Sequence, residues 1–174
     1  KIRAIYEDHN QNLWIGCYHR GMVMVSKEST PFHFWSVPTR EYPQAGVITA
    51  LYKDDDGHIV SGVEGEGVFK ITSEGNITDH LFSGKTVSSI YKDYSGNLWF
   101  GGYYSGLYMQ DAKGNVRFML PEIKLKDIKK ITGDDKGNLY LSLFGSGFIR
   151  YHLPTQTVTE YQSSSGGLRN NWIY

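Results

Sequence analysis

A unit of about forty residues recurs along this chain, and it restricts the fold more than any other feature. Four stretches align without gaps at their starts: Ile2-Arg-Ala-Ile-Tyr-Glu-Asp8, Ile48-Thr-Ala-Leu-Tyr-Lys-Asp54, Val87-Ser-Ser-Ile-Tyr-Lys-Asp93 and Ile128-Lys-Lys-Ile-Thr-Gly-Asp134. Each passes through a polar turn into a second apolar run: Asn12-Leu-Trp-Ile-Gly16, His58-Ile-Val-Ser-Gly62, Asn97-Leu-Trp-Phe-Gly101 and Asn138-Leu-Tyr-Leu-Ser142. A few residues on, each copy has a Gly (Gly21, Gly67, Gly106, Gly147) before a third apolar run, and a polar and aromatic fourth run closes the unit. The starts lie 46, 39 and 41 residues apart, close to the period of roughly 40–50 residues expected for four-stranded propeller blades.

One unit can be read physically. Ile or Val opens the first run and Ile or Leu follows three residues on, the apolar character of a strand buried on both faces. Asp-x-x-Gly-Asn then makes a tight turn, because Asp can accept backbone N–H groups and Gly takes positive φ at low cost. Trp14 and Trp99 in the second run are large enough to fill the space between neighbouring blades. The third strands are expected at Met22–Val25, Val68–Ile71, Leu107–Met109 and Phe148–Tyr151, and the fourth at Phe32–Trp35, Ile77–Phe82, Val116–Met119 and Thr157–Tyr161. Pro121 to Lys130 has apolar residues near helical spacing, but Pro121 and the register favour a loop entering a strand. The chain is therefore read as all-β, a β-propeller segment of about four four-stranded blades at 2–38, 47–82, 87–120 and 128–162, with 168–174 starting a fifth. A β-sandwich also uses short strands, but it does not need a repeat returning to one turn sequence.

Composition agrees. Aromatic residues make up 14% of the 174, Tyr alone contributes 13, and there are 20 Gly, a bias toward strands and tight turns. Formal net charge is zero and no basic stripe is present, so direct contact with nucleic acid is not expected. Cys17 is the single cysteine and cannot form an internal disulfide. The six histidines lack metal-ligand spacing, and neither a nucleophile elbow nor a phosphate loop occurs. Asp54-Asp-Asp-Gly57 lacks the alternating ligands and distant Glu of an EF-hand and reads as a hairpin turn. No catalytic residue, cofactor or metal is expected.

The consensus Ile-x-x-Ile-Tyr-x-Asp-x-x-Gly-Asn-Leu-Trp-Ile-Gly, followed by Gly-Leu, resembles the two-component regulator propeller repeat. Residues 87 to 107 carry it most fully. The second copy departs at His58 and Val60, and the fourth at Tyr140 and Ser142. The resemblance implies a periplasmic sensor region of a Bacteroides-type hybrid two-component system. In that family two propellers precede a small sandwich domain, a membrane helix and cytoplasmic kinase and regulator modules. It further implies detection of glycan fragments that switches on polysaccharide-utilisation genes, a seven-bladed propeller, and partners among the neighbouring propeller and sandwich domains or a homodimer of the full protein. Streptogramin lyases have similar repeats, but their catalytic His and Glu pattern cannot be matched here.

In a propeller the turns after strands two and four share one face, and those after one and three share the other. The first face should collect Tyr18, His19, Arg20, Arg40, Tyr42, Glu64, Glu66, Tyr103, Tyr104 and Phe144. These differ between copies at equivalent positions, whereas the Asp-x-x-Gly-Asn turns repeat. Varied aromatic and charged loops on a repeated scaffold suit recognition, and these ten residues are the candidates for binding an oligosaccharide or other small ligand. A structural or protein-docking role for the same face is the alternative, and a lyase a third. Four blades alone leave end sheets open, so the segment is expected to need neighbours to stay soluble.

Overall fold

The computed structural model describes residues 1–27, 33–35, 37, 46–123 and 126–173. Phe32, Arg40, Tyr42 and Tyr174 lie outside the described residues. The chain divides into two compact units, Lys1–Val87 and Ser88–Tyr174.

Sixteen strands form four four-stranded antiparallel sheets, each made of consecutive strands in chain order. Unit one holds β1 (Ile2–Glu7), β2 (Leu13–Cys17), β3 (Met22–Val25) and β4 (His33–Trp35), then β5 (Ile48–Lys53), β6 (Ile59–Val63), β7 (Gly67–Ile71) and β8 (Ile77–Leu81). The third sheet has β9 (Thr86–Lys92), β10 (Leu98–Tyr103), β11 (Gly106–Gln110) and β12 (Val116–Met119). The fourth has β13 (Ile128–Gly133), β14 (Asn138–Leu143), β15 (Phe148–His152) and β16 (Thr157–Tyr161). The chain from Pro121 to β13 starts with a 3₁₀ turn over Pro121–Ile123, and Ile123 is fully buried.

The first strands do not bury both faces along their whole length. Ile48 and Ile128 are fully buried and Ile131 nearly so, but Lys130 and Thr132 are exposed and Ile2 and Ile5 are 57% and 62% exposed. Each copy has its apolar side chains at the first and fourth positions, and in the second and fourth copies these pack on an adjacent sheet, Ile48 and Leu51 at Gly16 and Ile128 and Ile131 at Gly101. The first strands β1, β5 and β13 also carry a register irregularity at their second residue: Arg3, Thr49 and Lys129. Such an extra residue re-aims its side chain.

The sheets within each unit press together at a recurring glycine. A Cβ on Gly16 would lie 2.8 Å from Ile48 Cγ2, and one on Gly101 would lie 2.6 Å from Ile128 Cγ2. A Cβ on Gly62 would lie 2.4 Å from the Val87 carbonyl oxygen. The Gly that ends the second run is thus a site of close approach, not a turn residue. In the fourth copy Ser142 takes this place with its Oγ buried and unpartnered.

The Asp-x-x-Gly-Asn turn is held by one carboxylate. Asp93 Oδ1 accepts the backbone N–H groups of Ser95 and Asn97 at 2.8 and 2.9 Å. Its Oδ2 accepts Asn97 Nδ2 at 3.0 Å and the buried indole N–H of Trp99 at 2.8 Å. Asp8 does the same with Asn10, Asn12 and Trp14. The departures in the other copies are compensated. Where Trp becomes Tyr140, its hydroxyl donates to Asp134 Oδ2 at 3.0 Å. Where Asn and Trp become His58 and Val60, Lys70 Nζ reaches Asp54 Oδ2 at 2.7 Å.

These bonds govern the carboxylates' acidity. Backbone and side-chain donation from Asn138 draws Asp134 down to about 2. Burial pushes Asp8 upward, but donation from Trp14 and Asn12 outweighs it, and Asp8 lies below the ordinary range. Asp54 is lowered too, with burial opposed by Lys70 and the His58 amide. A carboxylate whose folded pKa is depressed stabilises fully above its unfolded pKa of about 3.9, and that contribution is lost as pH falls through the folded value. Urea denaturation should therefore give stability that is level above about pH 5 and falls steeply between about pH 4 and 2. Asp134→Asn should flatten part of that fall; an unchanged slope would refute the assignment.

Candidate functional site

The turns joining second and third strands share one backbone design. Their second residue has positive φ in every copy: His19 at 56°, Gly65 at 72°, Tyr104 at 46° and Gly145 at 67°. So does their fourth: Gly21, Gly67, Gly106 and Gly147. The fourth position needs glycine for space as well, since a Cβ would lie 2.2 Å from the Leu81 carbonyl at Gly67 and 2.1 Å from the Tyr161 carbonyl at Gly147. The second position is open, and two copies fill it with a side chain. A left-handed non-glycine residue costs about 1–3 kcal/mol, so His19 and Tyr104 are held there against local preference.

In unit one, the Tyr18 N–H donates to the Lys1 carbonyl at 2.7 Å and the Glu64 N–H to the Val47 carbonyl at 2.9 Å. Both turns therefore sit at the entry ends of first strands, one at β1 and the other at β5, and Gly16 at the end of β2 abuts Ile48 at the start of β5. The ring of Tyr18 meets His19 edge-on at 4.1 Å, and Arg3 lies over the Tyr18 ring at 5.1 Å. The Gly65 N–H donates to Thr86 Oγ1 at 2.9 Å. His80 stacks on Phe69 and places Nε2 2.6 Å from the Glu66 carbonyl. Arg20 and Glu64 are exposed, and Glu66 is half-buried.

In unit two, Tyr103, Tyr104 and Phe144 are 40%, 74% and 46% exposed. Asp127 joins their turns: its Oδ1 accepts the Tyr104 N–H at 2.8 Å and its carbonyl accepts the Phe144 N–H at 3.0 Å. Phe144 meets Trp172 edge-on at 4.8 Å, and Lys129 Nζ lies 6.0 Å from the Phe144 ring centre. Arg3, His80, Asp127, Lys129 and Trp172 are neighbours of the candidate residues that the sequence pattern did not single out. Their only signal was position, at the entry of a first strand or on a fourth strand.

At the other end of the strands, Asp54, Asp56 and His58 place donor atoms within 4.8 Å of one another. Asp54 Oδ1 already accepts the Asp56 and His58 amides at 3.0 and 2.9 Å, and Oδ2 is ion-paired with Lys70. The Lys70 ammonium thus pairs with the carboxylate that such a metal ion would share.

Four antiparallel four-stranded sheets in chain order, with the second strand of one sheet against the first strand of the next, define a β-propeller segment. The model of the two component regulator propeller family matches residues 1–19 and 81–104. No curated protein matches it by sequence. Among solved structures it is similar to the extracellular domain of a hybrid two component system from B. thetaiotaomicron, with TM-score 0.78 and 23% identity, covering 95% of this chain and 23% of that one. A one component system's extracellular domain from the same organism gives TM-score 0.74 at 20% identity, covering 94% of this chain and 24% of that one. Virginiamycin B lyase from Staphylococcus aureus gives 0.73 at 16%, covering 92% of this chain and 55% of that one. The chain thus spans about a quarter of the two extracellular domains it resembles, and at these identities the likeness is one of fold. No helix among the described residues is long and apolar enough to cross a membrane.

Proposed function

We propose that this chain is a ligand-sensing propeller segment of a periplasmic sensor ectodomain. It binds an oligosaccharide at the ends of its second strands, or relays such binding to a cytoplasmic kinase that controls polysaccharide-utilisation genes. The observation that carries the reading is the contrast between the two ends of the sheets. At one end every copy rebuilds the same carboxylate-closed turn. At the other, a fixed backbone presents different side chains, His19 and Tyr104 among them where two other copies have glycine. Exposed Tyr and Phe rings offer flat faces, and Arg20 and Glu64 offer hydrogen bonds to hydroxyl groups. Nothing in this chemistry requires a nucleophile or general base, so the segment is read as non-enzymatic. The other propeller, the sandwich domain and a second copy of the full protein are its proposed partners.

Calorimetric titration of the intact ectodomain with a panel of oligosaccharides tests the reading. Heat of binding with at least one glycan is expected. Silence with every glycan, alongside binding of a non-sugar ligand, would overturn it.

A further inference from the structure

Asp127 is bonded unlike the aspartates that close the turns at the other end of the strands. Asp8, Asp54, Asp93, Asp111 and Asp134 each engage both carboxylate oxygens. In every one Oδ1 accepts amides of its own turn and Oδ2 takes a side-chain donor. Asp127 engages one oxygen. Its Oδ1 accepts the Tyr104 N–H at 2.8 Å, and among the described residues Oδ2 accepts no hydrogen bond.

Holding that turn does not require a second oxygen. One copy earlier, Thr86 stands before Val87 as Asp127 stands before Ile128, and Thr86 Oγ1 accepts the Gly65 N–H at 2.9 Å. A hydroxyl therefore suffices to bond the second residue of such a turn. At Asp127 a further acceptor and a charge are added. The adjacent cation does not take them up, because Lys126 Nζ donates to Glu160 Oε1 at 2.8 Å.

The carboxylate is also fixed in place. The Asp127 carbonyl accepts the Phe144 N–H at 3.0 Å, so its backbone and side chain are tied to two different turns. The residue is half-buried, and the turn it bonds carries Tyr103 and Tyr104, 40% and 74% exposed. A preset acceptor loses little entropy when a ligand arrives, and a hydroxyl donating to a carboxylate makes a stronger bond than one between neutral groups. Lys129, two residues on, places its ammonium 6.0 Å from the Phe144 ring centre. The entry of β13 thus carries both signs of charge, which suits a neutral, hydroxyl-rich ligand better than an ion.

We infer that Asp127 is a specificity-determining residue in which Oδ1 holds the turn at Tyr104 and Oδ2 accepts a hydroxyl of a neutral saccharide. It rests on the sensing function proposed above and adds to it the group that reads the sugar.

The test is calorimetry on the intact ectodomain with cellotetraose, xylotetraose, mannotetraose and maltotetraose, and with trigalacturonate and tetraglucosamine as the charged arms. Asp127→Asn keeps an oxygen for the Tyr104 N–H but turns the other acceptor into a donor. Asp127→Thr installs the group that serves at Thr86. Both should melt as the wild type does and bind the neutral saccharide at least about tenfold more weakly. Asp111→Asn removes a carboxylate from the other end of the same unit and should leave the affinity unchanged. Neutral-saccharide binding that survives both Asp127 variants would overturn this role alone, as would an equal loss in Asp111→Asn. Binding of a charged saccharide with none of a neutral one would overturn it too, leaving the sensing function standing. No saccharide binding by the wild type would overturn both.

Discussion

Asp93→Ala should cost the folded chain about 3–5 kcal/mol, the largest loss expected from any single turn residue. The carboxylate accepts four hydrogen bonds. One donor is the indole of Trp99, which is 2% exposed and belongs to the core of unit two with Leu107, Ile128 and Leu139. With the carboxylate gone, that N–H stays in an apolar environment without water. A buried donor left unpaired costs about 1–3 kcal/mol, and bonds to a charged acceptor contribute about 1.5–3 kcal/mol each, though not additively. Asp111 is the control. It accepts the amides of Lys113 and Asn115, both at 2.9 Å, but at an exposed turn with no indole beneath it. Asp111→Ala should lose clearly less in guanidinium denaturation. Equal losses would show that the turn amides, and not the buried indole, dominate.

Gly147→Ala should be nearly as damaging, at about 2–5 kcal/mol. The residue has φ of 77°, and its Cβ would lie 2.1 Å from the Tyr161 carbonyl. The left-handed backbone costs about 1–2 kcal/mol for a side chain, and overpacking adds about 1–3 kcal/mol as β16 is forced away from β15. Gly145→Ala, two residues earlier, isolates the first contribution. Its φ is 67°, but the nearest atoms are in the Trp172 ring at 3.8 Å. It should lose only about 1–2 kcal/mol. Thermal or urea unfolding of the two variants side by side would show whether space or backbone conformation demands the glycine; similar losses would argue for conformation alone.

The same residues mark how far the sequence could be read. The strands, their hairpin order and the carboxylate turns were legible because their causes are local. A short apolar run, an Asp two and four residues before the amides it accepts, and a Gly at positive φ all act within a few residues of the chain. The variable turn between second and third strands was legible for the same reason, as a place where the repeat breaks.

What the tertiary structure decided depends on residues far apart in the chain. Lys70 completes the turn at Asp54 from 16 residues away, which explains why the second copy tolerates losing both Asn and Trp. Gly16 and Gly101 close the second apolar runs, and the packing of Ile48 and Ile128 shows them to be points where sheets meet. Asp127 joins two turns through its carboxylate and its carbonyl, and Thr86 accepts the Gly65 N–H as Asp127 accepts that of Tyr104. Spacing alone cannot reveal such substitutions, because each works across strands that only folding brings side by side. The repeat by itself determined the blades; which side chains share a surface was decided when the sheets packed.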